Sequence, residues 1–173
     1  MIAALGAPTA FGEPGFCALS LRLTPSLQQQ SFTCGPACFR TALLHWLGRA
    51  PAERDLLVPL HTQPEGTYAA RIAEVARNFN LFASNERGGS LDQLYEGLRR
   101  RETIIVLFRN ADNLPHFGVL QAMTADSVYL MDPASPTGWL SLSREEFLSR
   151  WNDSRWQYIG TMVRISNRPL YPL

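Results

Sequence analysis

A cysteine at the start of a predicted helix is the strongest candidate for chemistry in this sequence. Cys34 is followed by Gly-Pro and then by apolar residues at helical spacing, from Phe39 to Leu47. Thr33 can cap this helix, and a first turn tolerates Pro36 because an N–H there has no intrahelical partner. The N-terminus of a helix stabilises a thiolate, the nucleophilic form of cysteine. The spacing therefore predicts a reactive thiol at Cys34, with an inert structural cysteine as the alternative.

The other two cysteines are weaker candidates. Cys38 lies one turn further along the helix, among core-facing residues, so we expect a small buried side chain; Cys17 lies outside the helix. A total of 3 cysteines is too few for a disulfide framework. A zinc site would need a second cysteine pair or a His-x3-5-His element beside Cys34 and Cys38. No glycine-rich phosphate loop follows a strand. We therefore predict no metal and no cofactor.

An activated cysteine also needs a base, and the chain has 3 histidines. His45 lies on the same helix as Cys34 but about 16 Å along its axis, too far to reach the sulfur. His61 lies in a polar connecting segment, where a solvated loop residue is expected. His116 opens a predicted strand that can hold its imidazole at the edge of a sheet. His116 is therefore the predicted base, the alternative being a strand-end histidine with a purely structural hydrogen bond.

Asp132 ends the next predicted strand and precedes a proline that restricts its backbone, so it can orient His116. A tight turn between these strands would, in an ideal hairpin, put Asp132 opposite Val119, about 10 Å along the strand from His116. Contact therefore requires a bend, and Gly118 is suited to a bulge or twist. The alternative for Asp132 is an Asx-Pro turn with no partner beyond its own backbone.

An oxyanion donor would complete the site, since attack on a carbonyl places negative charge on oxygen and preorganised N–H groups must stabilise it. Gln28 lies six residues before Cys34. Its side-chain amide could act together with the backbone N–H of Cys34. Gln29 and Gln30 are adjacent candidates for the same role, and a polar loop with three glutamines is the structural alternative.

Helices dominate the first half of the chain and strands the second. Periodicity and capping signals, such as the stop at Gly48 and the capping box from Ser90 to Gln93, predict helices over 34–47, 52–57, 67–79, 91–101 and 144–150. Apolar and β-rich runs predict strands over 18–23, 103–108, 116–123, 128–131 and 158–165. This order predicts an α+β fold with an antiparallel sheet. We expect a loosely attached arm over residues 1–16 and a single domain over 17–173.

Composition excludes several classes of protein. The chain has 173 residues, 46% of them hydrophobic, and a net charge of +1, which is enough apolar material for one core. The basic residues are dispersed, so we expect no nucleic-acid partner. The longest uncharged apolar stretch, residues 1–11, is far shorter than the roughly 20 residues that span a bilayer, and no basic leader precedes it. We therefore expect a cytoplasmic protein without a membrane span.

Several blocks of the sequence resemble, in order, those of the C39-type papain-like cysteine peptidases, the bacterial enzymes that process bacteriocin leaders. The resemblance covers roughly residues 20–165. The blocks are Gln-x5-Cys-Gly-Pro-Ala-Cys at 28–38, Trp46-Leu47-Gly48, Gly66-Thr67, the segments 91–98 and 103–108, His116-Phe117-Gly118-Val119-Leu120, and Tyr129-Leu130-Met131-Asp132-Pro133.

The resemblance implies a papain-like fold, with an N-terminal helical part packed on an antiparallel sheet, and a thiol protease that cuts a peptide or protein through a thioester acyl-enzyme. It implies Cys34 as nucleophile, His116 as base, Asp132 as the residue that orients it and Gln28 as oxyanion donor. Thr33 differs from the acidic residue that leader peptidases usually carry there.

The sequence ends without the membrane and ATP-binding segments of the bacteriocin exporters, so we expect a stand-alone C39-like protein. Cleavage after a double-glycine leader is not implied for such a protein. The papain-like constellation serves other reactions that pass through the same thioester. The alternatives to a peptidase are an acyltransferase, a glutamine deamidase or amidase, and a non-catalytic peptide-binding module.

Overall fold

The computed structural model describes residues 19–172. The predicted arm, residues 1–16, and Cys17 lie outside the described residues. Within that range the chain folds as helices on both sides of one sheet, which confirms the predicted α+β class. No helix in this range is both long and apolar enough to cross a membrane.

In the described part of the chain the sheet has seven strands, and every neighbouring pair is antiparallel. Six strands follow the order β2-β7-β3-β4-β5-β6, and β1 pairs with the C-terminal end of β4. The strands are β1 (Leu19–Ser20), β2 (Phe82–Glu86), β3 (Thr103–Arg109), β4 (Pro115–Met123), β5 (Ser127–Met131), β6 (Trp139–Ser143) and β7 (Met162–Ser166).

Within residues 19–172, five helices cover the sheet. They are α1 (Cys34–Leu47), α2 (Glu53–Leu57), α3 (Ala69–Asn78), α4 (Leu91–Arg99) and α5 (Arg144–Trp151). Gly48 ends α1 with a positive φ of 67°, and Ser90 and Gln93 form the predicted capping box of α4. Thr33 does not cap α1 with its side chain, contrary to prediction. Its hydroxyl instead exchanges hydrogen bonds with the backbone of Gln30, because the preceding loop turns back on itself there.

The core is divided by the sheet into two layers. Helices α1, α2 and α3 pack on one face, and α4 and α5 pack on the other. Strand β3 is buried on both faces: Ile105 and Leu107 face the first layer, and Ile104, Val106 and Phe108 face the second. A strand buried on both faces reads as a continuous apolar run, which is why its sequence predicted it well.

The structure differs from the predicted elements mainly at their ends. The strand predicted over 18–23 pairs regularly only at Leu19–Ser20, and the last strand begins at Met162 rather than at residue 158. Helix α3 begins at Ala69, two residues later than predicted, since Gly66 closes a turn with Gln63 and Thr67 is not yet helical. Strands β2 and β6 were not predicted, and both lie at the edges of the sheet.

Candidate active site

Cys34 is the first residue of α1, as predicted, and only 7% of it is exposed. Its thiol lies close enough to the His116 side chain to raise the pKa of the imidazole. Because α1 begins here, the backbone N–H of Cys34 has no carbonyl one turn earlier in the helix to donate to. Because Gly35 has no side chain, the first turn of α1 approaches Thr67 closely: a Cβ on Gly35 would lie 2.7 Å from Thr67 Cβ.

Cys38 is fully buried, one turn behind Cys34, as expected for a small core side chain. Burial raises the pKa of its thiol well above the ordinary value, and the nearby charges of Cys34, Asp132 and Glu53 raise it further. A thiol that stays protonated is a poor nucleophile. Cys38 is therefore the natural control for chemistry at Cys34.

His116 and Asp132 meet because of a bulge in the β4–β5 hairpin. Close to the turn, Met123 faces Val128, which is the ideal register. Between Leu120 and Ala122 the register then shifts by one residue, so Val119 faces Met131 and Asp132 lies one step closer to His116. Because successive side chains alternate between faces, the same shift puts Asp132 and His116 on one face.

The prediction that a bulge or twist at Gly118 brings Asp132 to His116 was wrong about its position. The extra residue is Gln121, whose carbonyl oxygen accepts a hydrogen bond of 2.8 Å from Leu21 N–H beside β1. Gly118 has a different local role. A Cβ there would lie 3.3 Å from the Met131 carbonyl oxygen and 3.2 Å from the Phe108 ring, so glycine allows close packing between the strands.

Asp132 holds the histidine through one oxygen. His116 Nε2–H donates to Asp132 Oδ1 at 2.7 Å, and the Ala134 backbone N–H donates to the same oxygen at 2.9 Å. Burial raises the pKa of Asp132, but the hydrogen bonds from His116 and from the Ala134 and Ser135 backbones outweigh it, so the pKa is lowered. Asp132 therefore stays ionised, and its contact with Nε2 leaves Nδ1 as the ring nitrogen available to Cys34.

His116 is buried and lies between two acceptors. Burial lowers its pKa, but the hydrogen bonds to Asp132 and Cys34 and the charges of both groups raise it to about 9. The edge of the Phe108 ring packs against the imidazole, with ring centroids 5.6 Å apart. The site therefore favours an imidazolium at neutral pH.

The two other described histidines do not take part. His45 Nδ1–H donates to the carbonyl oxygen of Arg22 at 3.1 Å on the helix surface. His61 lies in a connecting segment with a positive φ of 50°, and Arg71 donates to its Nε2 at 3.2 Å. Both match their predicted structural roles.

The loop before Cys34 sets Gln28 apart from its two neighbours. Its backbone N–H donates to the Pro133 carbonyl oxygen at 3.0 Å, which ties it to the segment that carries Asp132. Its Nε2 donates one hydrogen to the Gln30 carbonyl oxygen at 2.9 Å, and Oε1 is buried without a partner among the described residues. Gln29 and Gln30 are exposed. Gln28 thus has a half-buried amide with one N–H left over.

A cleft of about 680 Å³ begins at Cys34. One wall is the segment from Gln63 to Ala70, in which Gln63 and Gly66 form a tight turn at a positive φ of 112° for Gly66. The other walls combine an apolar surface from Leu107, Pro115, Phe117 and Tyr158 with the polar side chains of Asn85 and Arg87.

Sequence reasoning missed two residues at the site, Glu53 and Thr67. Thr67 forms the close contact with Gly35, and Glu53 is a buried carboxylate that accepts a hydrogen bond from the Gln29 backbone. An acidic residue in the first turn of a helix normally indicates only a favourable interaction with the helix dipole. No signal in the sequence distinguished Glu53 from such a residue.

Comparison with known proteins identifies the family of this chain. Residues 22–155 match the model of the peptidase C39 family. No curated protein matches the chain.

Solved structures share the fold. A C39-like protein from Bacillus anthracis superposes with a TM-score of 0.70 at 15% identity, covering 88% of this chain and 98% of that one. The peptidase domain of Streptococcus ComA, a bi-functional ABC transporter involved in quorum sensing, has a TM-score of 0.68 at 21% identity, covering 84% and 98%. A double glycine motif protease from an AMS/PCAT transporter, in complex with the leader peptide, has a TM-score of 0.64 at 21% identity, covering 84% and 92%.

These similarities confirm the predicted papain-like C39 fold. The family match confirms the predicted class of enzyme. The chain belongs to the peptidase C39 family and is a cysteine-type peptidase, a hydrolase.

Proposed function

We propose that this peptidase cuts peptide bonds with Cys34 as nucleophile, His116 as acid and base, Asp132 as the residue that orients the imidazole and Gln28 as oxyanion donor. The observation that carries the proposal is the position of His116 between two groups: its Nε2 is hydrogen-bonded to Asp132 Oδ1 at 2.7 Å, and the Cys34 thiol, which lines the cleft, lies close enough to raise the pKa of the imidazole. A nucleophile, a base and a group that orients the base are the parts that covalent hydrolysis requires.

Acylation follows from this arrangement. The Cys34 thiolate, paired with the His116 imidazolium, attacks the scissile carbonyl carbon and forms the C–S bond. The imidazolium then gives its proton to the leaving amine, the C–N bond breaks, and the acyl group remains on sulfur as a thioester. The raised pKa of His116, about 9, keeps that proton available at neutral pH.

Deacylation reverses the roles. The neutral imidazole takes a proton from water, and the resulting hydroxide attacks the thioester carbon. The C–S bond breaks, the acid product leaves, and the thiolate and imidazolium are restored. Asp132 holds the ring in position throughout, because its hydrogen bond to Nε2 fixes which nitrogen faces the sulfur.

The oxyanion of each tetrahedral intermediate needs donors at the helix start. The backbone N–H of Cys34 supplies the first, and the second N–H of the Gln28 side chain supplies the other. The first N–H of that amide binds the Gln30 carbonyl oxygen, which fixes the plane of the side chain. Removing one such donor typically lowers kcat by about 10²- to 10³-fold.

The substrate class is a peptide segment in extended form. The cleft is lined by Cys34 and by a mostly apolar surface, which can bind the apolar side chains of a peptide next to the thiol. The transporter peptidase described as a double glycine motif protease was solved with a leader peptide, which supports a peptide in the equivalent groove here. Peptides with a Gly-Gly pair are therefore the first substrates to test.

Alkylation tests the nucleophile without any knowledge of the substrate. Brief treatment with iodoacetamide at pH 6 should label Cys34, since an ion-paired thiolate reacts where an ordinary thiol with a pKa of about 8.5 does not. Peptide mapping by mass spectrometry identifies the labelled residue. Cys34→Ala should abolish fast labelling, and Cys38→Ala should keep it. Equal labelling of the wild type and Cys34→Ala would contradict the proposal.

Turnover is tested with a complex peptide library that includes Gly-Gly sequences, by mass spectrometry of newly formed amino termini. The wild type and Cys38→Ala should produce the same cuts, and Cys34→Ala should produce none. Mass analysis also distinguishes hydrolysis from a gain of about one dalton or an added acyl group, the marks of deamidation and transfer. If iodoacetamide labels Cys34 in one sample of the wild type, absence of any cut by an untreated sample of the same protein would refute peptide-bond hydrolysis.

A further inference from the structure

The buried carboxylate of Glu53 has no role in the steps above. Glu53 begins the short helix α2, and only 4% of it is exposed. Oε1 accepts a hydrogen bond of 3.0 Å from the Gln29 backbone N–H, and Oε2 is buried without a partner among the described residues. Burying a carboxylate with so few hydrogen bonds is costly. A purely structural position would be better filled by an apolar side chain, so the contact with the Gln29 backbone needs an explanation.

That contact lies in the middle of the loop that carries Gln28. The loop is fastened before this point, where the buried Ser26 N–H donates to Thr41 Oγ1 at 3.1 Å and Arg40 donates to Ser26 Oγ at 3.1 Å. Beyond Gln29 the loop is held by two hydrogen bonds between the Thr33 hydroxyl and the backbone of Gln30. Between these points the Gln28 N–H binds the Pro133 carbonyl oxygen at 3.0 Å, and the Glu53 bond holds the following peptide unit, between Gln28 and Gln29.

We propose that Glu53 is a positioning residue for the oxyanion hole. By accepting the Gln29 N–H, its Oε1 fixes the peptide between Gln28 and Gln29 and so fixes where the Gln28 amide points. The inference rests on the proposed role of Gln28. It assigns Glu53 no contact with the substrate. Its negative charge is not the useful property, because a nearby negative charge opposes the Cys34 thiolate and the oxyanion.

Two substitutions separate the acceptor from the charge. Glu53→Gln keeps an oxygen at the same reach and removes the charge, whereas Glu53→Asp keeps the charge and withdraws the oxygen by about one C–C bond length. With the library peptide that the wild type cuts fastest, we expect Glu53→Gln to keep kcat within about threefold. We expect Glu53→Asp and Glu53→Ala to lower kcat by about 10- to 100-fold with little change in KM, the scale of a misplaced catalytic group.

A double-mutant cycle with Gln28→Ala tests whether Glu53 acts through Gln28. If it does, Gln28→Ala combined with Glu53→Asp should be no slower than Gln28→Ala alone, because there is no amide left to position. Leu94→Ala is the control for lost stability. Leu94 is buried on the opposite face of the sheet, so this variant should lower the thermal midpoint and leave kcat unchanged.

Three outcomes would overturn the inference: a Glu53→Gln variant as slow as Glu53→Asp, a Glu53→Asp variant as fast as the wild type, or multiplicative losses in the double variant. Each presupposes a wild type that cuts the peptide. A wild type that neither reacts with iodoacetamide at Cys34 nor cuts the library would instead refute the proposed function, so the two failures are distinguishable.

Discussion

Two buried polar clusters in this protein are built on opposite principles. The arginine cluster consists of Arg164, Glu102, Glu86 and the Tyr171 carbonyl, and the cysteine cluster consists of Cys34, His116, Asp132 and Gln28. In the arginine cluster every guanidinium nitrogen has an acceptor: Nε and Nη2 bind the two oxygens of Glu102 at 2.7 and 2.9 Å, Nη1 binds Glu86 at 2.9 Å, and Nη2 also binds Tyr171.

The cysteine cluster is left incomplete. The buried side-chain atoms that lack a partner among the described residues are Gln28 Oε1, Glu53 Oε2 and Thr161 Oγ1. Gln28 belongs to the cysteine cluster, Glu53 accepts a hydrogen bond from the backbone of the adjacent Gln29, and Thr161 lines the cleft beside Cys34. Unsatisfied polar groups cost stability, and proteins retain them where function requires it. The difference is the one expected if the fully paired arginine cluster stabilises the fold and the incompletely paired cysteine cluster is the proposed catalytic site.

Among substitutions in the two clusters, that of His116 should have the largest effect on activity. His116→Ala removes both the proton donor for the leaving amine and the partner of the thiolate, so we expect kcat/KM to fall by about 10³-fold or more. Iodoacetamide labelling of Cys34 at pH 6 should become slow in the same variant. A His116→Ala protein with native circular dichroism and near-normal turnover would remove the base from the mechanism.

The matched change in the arginine cluster should do the reverse. Glu102→Ala leaves the Arg164 guanidinium buried with Glu86 and one carbonyl, and we expect about 3–5 kcal/mol lower free energy of unfolding. Below the unfolding temperature kcat/KM should stay within about threefold of the wild type. Glu86→Gln, which removes only the partly exposed partner, is the milder version if Glu102→Ala does not fold. Loss of activity without loss of stability in either variant would break the comparison.

Substitution of Asp132 should have an intermediate effect and change the pH profile. Asp132 raises the pKa of His116, so Asp132→Asn should lower that pKa from about 9 toward the ordinary value near 6.5. Because the imidazolium must protonate the leaving amine, activity of the wild type should fall as pH rises through about 9. In Asp132→Asn that fall should begin at lower pH, with kcat/KM at pH 7 reduced by about 10²-fold. An unchanged alkaline limb would show that Asp132 does not set the protonation of His116.

The same pKa predicts a stability change with pH. His116 has a higher pKa in the folded chain than the value near 6.5 expected after unfolding. Its contribution to the free energy of unfolding is therefore fully present below about pH 6.5 and is lost as pH rises through about 9. Urea titrations at pH 6 and pH 9.5 measure this loss, and the His116→Ala protein, which lacks the group, should lose less over the same range.

The sequence was most informative for a strand that is buried on both faces and for a role that only a few residues of the right type could fill. Strand β3 was predicted from its uninterrupted apolar run, and His116 was predicted as the base partly because His45 could not reach Cys34. The edge strands β2 and β6 were missed for a physical reason. Each pairs on one side only and carries Ser or Asn with mixed exposure, so neither shows a strong apolar pattern.

The geometry of the site was less predictable than its residues. The contact between His116 and Asp132 depends on a one-residue register shift at Gln121, and glutamine is not a residue type that indicates a bulge. The sequence-based expectation placed the irregularity at Gly118. A register shift is decided by pairing with neighbouring strands, here including the hydrogen bond from Leu21 to Gln121. Buried contacts such as that of Glu53 depend in the same way on packing between distant segments.

The smallest effects are expected for substitutions of a closely packed glycine beside each cluster, Gly35 beside Cys34 and Gly97 beside the arginine cluster. In Gly35→Ala the new Cβ would lie 2.7 Å from Thr67 Cβ and 2.9 Å from Thr67 Oγ1. Thr67 cannot turn away, because these atoms lie next to its backbone and its hydroxyl is bound to Thr62 Oγ1 at 2.9 Å. We expect about 1–3 kcal/mol lower free energy of unfolding and, since Cys34 must shift with its neighbour, about tenfold lower kcat/KM.

Gly97→Ala, beside the arginine cluster, is the matched control. Its new Cβ would meet the terminal Cδ1 of Ile104 at 2.5 Å, and this flexible end can move aside. Alanine is also the better helix former by about 1 kcal/mol, so the free energy of unfolding should change by less than about 1 kcal/mol and kcat/KM should not change. If both variants proved equally harmless, close backbone approach would not hold Cys34 in place. The position of the thiol would then depend on its contact with His116 alone.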